Sequence, residues 1–267
     1  MSITTLLKGG MGNQMFQYAI GRAQAIRLGV DLKLSTQYYE ECPKDSLCYM
    51  PYCLDQWVGV CAERVGQAEG TEVNRDEVHY DPDIDSVVTD GCWLNGYWQS
   101  EKYFSNISGI LREEFVPWRT PSTTELASRI NYEGDRSVSI SIRRGNYVPV
   151  MPGLAMEMSY YLAGVERIIA AVPDAHFFIF SDDGDWVKEN LILPYPTTVA
   201  RSHVYDYHKG TGFEAEDLWL MSLCKHAIVA NSTFSWWGAW LNPDKGMVVA
   251  PKTWGIQATP LDNWITI

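Results

Sequence analysis

The stretch SVSISIRRGN (137–146) alternates serine with valine and isoleucine and then runs into two arginines. A period of two is typical of a β-strand, and it places Arg143 on the same face as the serines, at the carboxyl end of the strand. A helical pattern follows, and after it a second strand, HFFIF (176–180), which ends at SDD (181–183). Strands that alternate with helices predict an α/β fold built on parallel sheets.

The same alternation extends toward both ends of the chain. On the C-terminal side it predicts helices at about 158–172, 185–191, 214–225 and 233–241, and the strands AIVAN (227–231) and MVVAP (247–251). On the N-terminal side, strands at 3–7 and 30–34 flank a helix that should end near Gly29. The pattern is less regular from about 40 to 125, apart from a helix expected around 100–115, and PWRTPSTTE (117–125) has turn chemistry. We therefore expect two domains, residues 1–125 and 126–267.

The composition excludes several classes of protein. The 267 residues include 33 Asp and Glu against 21 Lys and Arg, a formal charge of −12, and no basic run. The electrostatic field of a protein with this negative charge repels nucleic acid and an anionic membrane surface. The sequence has neither a signal-peptide pattern nor a membrane-spanning stretch, which predicts a cytoplasmic protein, or one at the inner membrane face if its substrate is lipid-linked. It predicts no oligomeric state.

Metal and redox chemistry are not indicated. Cys42, Cys48, Cys53 and Cys61 lie close together, but no pair has the Cys-x-x-Cys spacing of a zinc site and no histidine lies among them. We expect free thiols, with a disulfide inside this group as the open alternative. The acidic stretch DPDID (81–85) has the Asp-x-Asp spacing of some metal sites, but its proline and its irregular surroundings favour a solvated turn.

Three polar clusters follow predicted strands. Ligands of open parallel sheets bind beyond the carboxyl ends of the strands, so RRGN (143–146), SDD (181–183) and NST (231–233) are candidates for one binding site. The third cluster closes a strand and opens a helix, where free backbone N–H groups and hydroxyls would bind a phosphate, although simple helix capping explains it equally well. Its residues are Asn231, Ser232, Thr233, Phe234 and Ser235.

Arg143 would supply the cation of such a site. An arginine fork binds a pyrophosphate through two hydrogen bonds and neutralises the charge that develops as a nucleoside diphosphate leaves. Asp182 and Asp183 could accept hydrogen bonds from a guanine base or a ribose. The structural alternatives are an ion pair for the arginine and helix capping for the aspartates. The loop GGMGN (9–13) would let the backbone approach a ligand closely, but it lacks dinucleotide and P-loop spacing.

Together these residues resemble glycosyltransferase family 11, the α-1,2-fucosyltransferases. The matching blocks are GGMGNQMFQYAIGRA (9–23), GYWQSEKYF (96–104), IRRGNYV (142–148), FIFSDDGDWVKENL (178–191) and EDLWLMSLCKHAIVANSTFSWWGAWLN (216–242). The resemblance implies two facing Rossmann-like domains of the GT-B type, residues 1–125 on the acceptor side and 126–267 binding the GDP-sugar. It also implies a GDP-fucose donor, a glycan acceptor, inversion at the anomeric carbon, and no required metal or other cofactor.

The resemblance further implies roles for individual residues. Arg143 would be catalytic and hold the β-phosphate, with Arg144 beside it in the donor site. Asp182 or Asp183 would bind the nucleoside, Ser232 to Ser235 would bind the pyrophosphate after Asn231, and Gly10, Gly12 and Asn13 would face the cleft.

This chain departs from the family at two positions. The arginine motif of the family reads His-x-Arg-Arg-Gly-Asp-Tyr, whereas this chain has Ser141 and Asn146 at the His and Asp positions, and neither side chain can act as a base. We favour a role for these positions in orienting the arginines and binding phosphate, which serine and asparagine can fill. The sequence names neither the base nor the acceptor.

The sequence therefore predicts an inverting transfer of L-fucose from GDP-fucose to the 2-hydroxyl of a terminal galactose or similar sugar. The alternatives are a transferase for another GDP-sugar or acceptor, and a non-catalytic protein that binds a GDP-sugar or glycan. A metal-dependent reaction through Asp81, Asp83 and Asp85 is the weakest alternative.

Overall fold

The chain forms two compact units in a computed structural model that describes residues 1–43, 49–75, 80–145, 147–200, 212–254 and 260–267. Unit 1 is Met1–Val116 and unit 2 is Pro117–Ile267. The division thus lies at the start of the turn-rich segment 117–125, whereas the sequence placed it at the end. The reason is that Thr120 and Thr123 donate hydrogen bonds to the buried Glu216, which ties this segment to unit 2.

Unit 1 is a parallel sheet with helices. Its strands are β1 (Ser2–Leu6), β2 (Asp31–Ser35), β3 (Glu63–Val65), β4 (Thr71–Arg75) and β5 (Cys92–Gly96). Its helices are α1 (Met11–Leu28), α2 (Gln37–Glu41), α3 (Ile84–Val87) and α4 (Ser108–Glu114). The strand order is β3-β2-β1-β5-β4, and every recorded pairing is parallel.

Helix α1 ends where the sequence predicts. Gly29 adopts a left-handed conformation with φ of 67°, and its N–H bonds back to the carbonyls of Ala25 and Ile26. A residue with a Cβ is strained in this conformation, so glycine stops the helix cleanly. The helix predicted around 100–115 is confirmed only in its second half: α4 begins at Ser108, after two short 3₁₀ turns at 101–103 and 105–107.

Unit 2 is also a parallel sheet with helices. Its strands are β6 (Ser137–Ile142), β7 (His176–Ser181), β8 (Thr197–Val199), β9 (His226–Ile228), β10 (Val248–Ala250) and β11 (Ile265–Thr266). Its helices are α5 (Pro121–Glu133), α6 (Tyr147–Val150), α7 (Met158–Ile169), α8 (Gly184–Asn190), α9 (Glu214–Leu223) and α10 (Thr233–Trp240). The strand order is β11-β10-β9-β6-β7-β8.

This order is that of a dinucleotide-binding Rossmann sheet. Within unit 2, the chain first forms β6 in the middle of the sheet and then runs outward through β7 to β8. It returns to β9, on the other side of β6, and runs outward through β10 to β11. The strand order therefore reverses between β6 and β9, and ligands of such sheets bind at the carboxyl ends of the strands at this switch point. The α/β fold class with two Rossmann-like units is confirmed.

All six residues of β6 are buried, although the alternation in its sequence would also suit a strand with one solvated face. Val138, Ile140 and Ile142 pack in a cluster that includes residues of α7, while α5 and α9 pack against Phe178 and Phe180 of the neighbouring strand. Helices thus cover both faces of the sheet, as is usual when all strands are parallel. The serine hydroxyls are accommodated by hydrogen bonds inside the protein, because a buried hydroxyl without a partner is costly.

Candidate functional site

The three polar clusters of unit 2 follow adjacent strands of one sheet. Ile142 pairs with Ser181 in the register of β6 and β7, so the residues that follow, Arg143 and Asp182, leave the sheet side by side. β9 lies on the other side of β6, and Asn231 follows it closely. The structure therefore brings the clusters to one edge of the sheet, with the switch point between β6 and β9 among them.

Arg143 is held by Asp182. Its Nη1 donates to Asp182 Oδ2 at 2.5 Å, and its side chain is 20% exposed. The other carboxylate oxygen of Asp182 accepts from the backbone N–H groups of Arg144 at 2.8 Å and Gly145 at 3.1 Å. The guanidinium also lies 5.5 Å from the ring centroid of Tyr147. The arginine fork is thus fixed on one side and keeps some exposure to solvent.

Arg144 is held in a similar way by Asp183 and Trp186. Its Nε donates to Asp183 Oδ2 at 3.1 Å, and its Cζ lies 3.9 Å from the centroid of the Trp186 ring. The second oxygen of Asp183 accepts from the N–H of Trp186 at 3.1 Å and so caps α8. Both structural alternatives from the sequence are therefore present: Arg143 forms an ion pair with Asp182, and Asp183 caps a helix.

The first turn of α10 is the third part of the site. Ser232 is its N-cap residue but makes no side-chain capping bond, and Thr233 and Phe234 begin the helix. The first N–H groups of any helix have no acceptor inside the helix, which favours anions there. The hydroxyl of the buried Ser235 lies 2.7 Å from that of Ser141. Ser141, which stands where the family has histidine, therefore contacts the first turn of α10.

Asn231 is oriented by its amide nitrogen. Its Nδ2 donates to the carbonyl of Leu154 at 2.9 Å, and its own carbonyl accepts from the hydroxyl of Tyr147 at 3.2 Å. The buried Oδ1 has no hydrogen-bond partner within the part of the chain that the structure describes. Burial raises the pKa of Tyr147, so its hydroxyl stays protonated and keeps donating at neutral pH.

The glycine loop lies at the corresponding switch point of unit 1, between β1 and β5. Gly9 has φ of +75°, which favours glycine, and Gly10 is the N-cap residue of α1 with Gly12 buried in the first turn. Asn13 Oδ1 accepts from the side chain of Gln99 at 2.8 Å, after β5. The structure therefore places these predicted residues together within unit 1.

Sequence reasoning missed two buried glutamines that build this loop. Gln14 donates to the carbonyls of Gly9 and Pro51 and accepts from the N–H of Cys53. Gln17 accepts from the N–H of Lys8 and donates to the carbonyls of Lys8 and Gly96, so it joins the ends of β1 and β5. Both are fully buried, and they stand in the GNQMFQ run that carried the resemblance.

The alternative metal site is occupied by internal contacts. Asp81 accepts from Arg75 at 2.7 Å and from the N–H of Asp83 at 2.9 Å, and these hydrogen bonds lower the pKa of its carboxyl group. Asp85 accepts from Gln24. In the described ranges, no three ligand-type side chains lie close enough together to hold a metal ion.

The remaining predictions from the sequence concern Asn146, the cysteines and membrane-spanning helices. Asn146 and Cys48 lie outside the described residues. Cys42 and Cys61 have free thiols, and the thiol of Cys53 donates to the carbonyl of Pro51. No helix in the described part of the chain is both long and apolar enough to cross a lipid bilayer.

The two Rossmann-like sheets define a fold shared with fucosyltransferases of known structure. One is POFUT1 in complex with GDP, which matches 99% of this chain and 98% of its own with a TM-score of 0.55 at 11% sequence identity. The chain belongs to glycosyltransferase family 11, whose sequence profile, Glycosyl transferase family 11, matches residues 86–265. The predicted family, fold class and enzyme class are thereby confirmed.

Sequence relatives carry related activities. An α-1,2-colitosyltransferase of Escherichia coli is 31% identical over 284 residues, which cover 94% of this chain and 92% of the relative. Galactoside alpha-(1,2)-fucosyltransferase 1 of Homo sapiens is 28% identical over 162 residues, 55% of this chain and 42% of the relative.

Proposed function

We propose that this glycosyltransferase moves L-fucose from GDP-fucose to the 2-hydroxyl of a terminal galactose, or a similar sugar, with inversion at the anomeric carbon. The observation that carries the donor part is the fixed fork of Arg143 at the switch point of unit 2, beside the first turn of α10. A cation and a helix N-terminus at one sheet edge suit a nucleoside diphosphate. In this proposal unit 2 holds the donor and unit 1 the acceptor.

The proposed chemistry is displacement of GDP. The acceptor oxygen forms a bond to C1 of the sugar as the bond from C1 to the pyrophosphate oxygen breaks, and the electron pair leaves with GDP. The proton of the acceptor hydroxyl is released to solvent. Arg143 and the first turn of α10, with the hydroxyls and N–H groups that Ser232 to Ser235 offer beyond the Ser232 N–H bonded to Ala230, would stabilise the charge that develops on the leaving phosphate. Arg144 would be a second cation. We expect no metal requirement, because these groups supply the charge that a metal would supply.

The second candidate function is transfer of colitose, since the relative that matches 94% of this chain is named a colitosyltransferase. Colitose is L-fucose without its 3-hydroxyl, so the two donors share the diphosphate and differ at one sugar position. A site that hydrogen-bonds a hydroxyl rejects the analogue without it far more strongly than an apolar site rejects an extra group. A donor comparison therefore separates the two functions.

For the compartment we propose the cytoplasm, or its membrane face if the acceptor is lipid-linked. The free thiols of Cys42 and Cys61 suit a reducing compartment, where disulfides rarely form.

The test is turnover of GDP-fucose and GDP-colitose with glycans that end in galactose, in the presence of a chelator. Free GDP and glycosylated product are quantified together, and the linkage is read by NMR. Release of GDP that depends on the acceptor, with an α-1,2 product, is the expected result. If only GDP-colitose is turned over, the donor is GDP-colitose and not GDP-fucose. If turnover appears only after a metal ion is restored, the metal-free mechanism is wrong. Saturable GDP binding without turnover on any acceptor favours a non-catalytic binding protein.

A further inference from the structure

Asp182 makes three hydrogen bonds within the loop that carries Arg143. One carboxylate oxygen accepts from the Arg143 guanidinium, and the other accepts from the N–H groups of Arg144 and Gly145. The side chain of Asp182 is only 8% exposed. Its oxygen atoms are therefore turned toward the protein, and a ligand has little access to them.

The neighbouring carboxylate has a different set of contacts. Asp183 caps α8, pairs with Arg144, and its side chain is 36% exposed. Of the two aspartates, the cap is thus made by Asp183, while Asp182 contacts only the loop 143–145 among its recorded hydrogen bonds. The two residues, which the sequence treated as interchangeable, have separate roles.

The register of the sheet explains why Asp182 bonds to the loop 143–145. Ile142 and Ser181 are direct partners, so the loops that leave β6 and β7 start side by side. An aspartate at the first position of one loop can then accept from both backbone and side chain of the other. A carboxylate is well suited to this, because it accepts several hydrogen bonds and attracts the guanidinium.

We propose that Asp182 is a positioning residue that fixes the Arg143 fork and the loop 143–145, and that it is not a ligand of the nucleoside. This inference rests on the proposed function in one respect, the contact between Arg143 and the donor pyrophosphate. Orientation of a group that stabilises a transition state affects turnover, and a misplacement of about 1 Å can cost on the order of 100-fold in rate.

The substitution Asp182→Asn separates this role from a nucleoside contact. Asparagine has the same shape and keeps one oxygen for the N–H groups of Arg144 and Gly145. Its amide nitrogen cannot accept from Arg143, so the guanidinium loses its orientation, while the site as a whole becomes more positive by the lost carboxylate charge. We expect kcat to fall about 10-fold to 100-fold, with the Kd for GDP unchanged or lower. A nucleoside ligand would instead lose GDP affinity together with its hydrogen bond.

The experiment measures kcat for transfer and the calorimetric Kd for GDP in the wild-type chain, Asp182→Asn and Asp185→Asn. Asp185 is the matched control, because it lies on the same segment, is 68% exposed and pairs only with Lys188 among the recorded ion pairs. Its variant should match the wild type in both quantities. A Kd for GDP that rises at least 10-fold in Asp182→Asn would overturn the proposal, and so would an unchanged kcat.

A second measurement tests the positioning without any substrate. Rotation of the Arg143 guanidinium, followed through its ¹⁵N resonances, should be slow in the wild type and fast in Asp182→Asn. Resonances are assigned by their disappearance in Arg143→Ala. Equal rotation in both proteins would overturn the inference. A wild-type chain that binds no GDP but shows this difference would refute the proposed donor and leave the positioning role intact.

Discussion

The hydroxyls of Ser141 and Ser235 lie 2.7 Å apart and join the end of β6 to the first turn of α10. Both residues are buried, with exposed fractions of 5% and 1%. Ser141 stands where the family motif has a histidine. Through Ser235, this position contacts the helix at the proposed phosphate site. The contact supports the interpretation that the position orients the site and does not act as a base.

Replacing Ser141 with alanine should lower stability and leave turnover within a few-fold of the wild type. The hydroxyl of Ser235 would lose its partner inside the protein, which costs about 1–3 kcal/mol of unfolding free energy. Urea unfolding checks the first expectation and the transferase assay the second. Loss of more than about 100-fold in kcat would show that the hydroxyl takes part in the chemistry.

The matched control is Ser128→Ala, because Ser128 lies on an exposed part of α5 and bonds only to the carbonyl of Thr124 among its recorded contacts. Its loss should change stability by less than about 0.5 kcal/mol. The double variant of Ser141 and Ser235 should cost less than the sum of the single ones, since no buried hydroxyl is then left alone. An additive result would contradict the hydrogen bond.

Replacing Arg143 with alanine should lower kcat by about 100-fold to 1000-fold, the range found for loss of one group that stabilises a developing negative charge. The fold should persist, because Asp182 keeps its two backbone donors. Steady-state kinetics and circular dichroism measure the two effects. Arg136→Ala is the control, because the side chain of Arg136 is 42% exposed and forms ion pairs with Glu133 and Asp174. Full activity in Arg143→Ala would remove its catalytic role.

The sequence predicted the strands and helices that have a clear apolar or alternating pattern. The strands β6 and β7, the helix α1 and its end at Gly29 all lie within a few residues of their predicted positions. The strands β3, β4 and β5 were missed. They lie in the irregular stretch from about 40 to 125, and most residues of β3 and β4 are exposed, so no apolar run marks these two strands. Such strands form because the neighbouring strands of the sheet offer hydrogen-bond partners.

The candidate site was predicted as a set of positions but not as a set of contacts. Asp182 was expected to meet a ligand, and the structure shows that it accepts a hydrogen bond from Arg143. The difference depends on the register between β6 and β7, which a strand pattern does not reveal. The burial of Gln14 and Gln17 was missed for a related reason: their partners are loop backbone groups, and an amide in a helix counts as polar in any hydrophobic pattern.

Replacing Gln17 with leucine should destabilise unit 1. Leucine fits a buried helix position, but three backbone groups at Lys8 and Gly96 would lose their partner. Each buried group left unpaired costs about 1–3 kcal/mol, so we expect a loss of at least about 2 kcal/mol of unfolding free energy. Chemical denaturation measures it. Gln37→Leu is the control, since Gln37 bonds to Glu41 on an exposed face of α2. Equal stability of the two variants would show that the Gln17 contacts contribute little.

Stability should also fall as the solution is acidified, and His226 should carry part of the effect. Its Nδ1 accepts from the N–H of Met247 at 2.9 Å, so Nε2 carries the proton and donates to the carbonyl of Asp135. Burial lowers the pKa of this imidazole below the value of 6.5 that it has when unfolded, and the positive charges of Lys225 and Lys245 lower it further, against the opposing effect of Asp135. The neutral ring is therefore favoured in the folded protein.

Between the folded pKa of His226 and 6.5, the unfolded chain binds more protons than the folded chain, so the unfolding free energy decreases as the pH falls through this range. A proton on Nδ1 would also remove the acceptor of the Met247 N–H. Glutamine has a carbonyl for that N–H and no titratable group, so His226→Gln should give a flatter dependence of unfolding free energy on pH between about 7 and 5. Urea unfolding at several pH values measures the slope, which is independent of any constant change in stability caused by the substitution. Parallel curves for the variant and the wild type would assign the acid sensitivity to other groups.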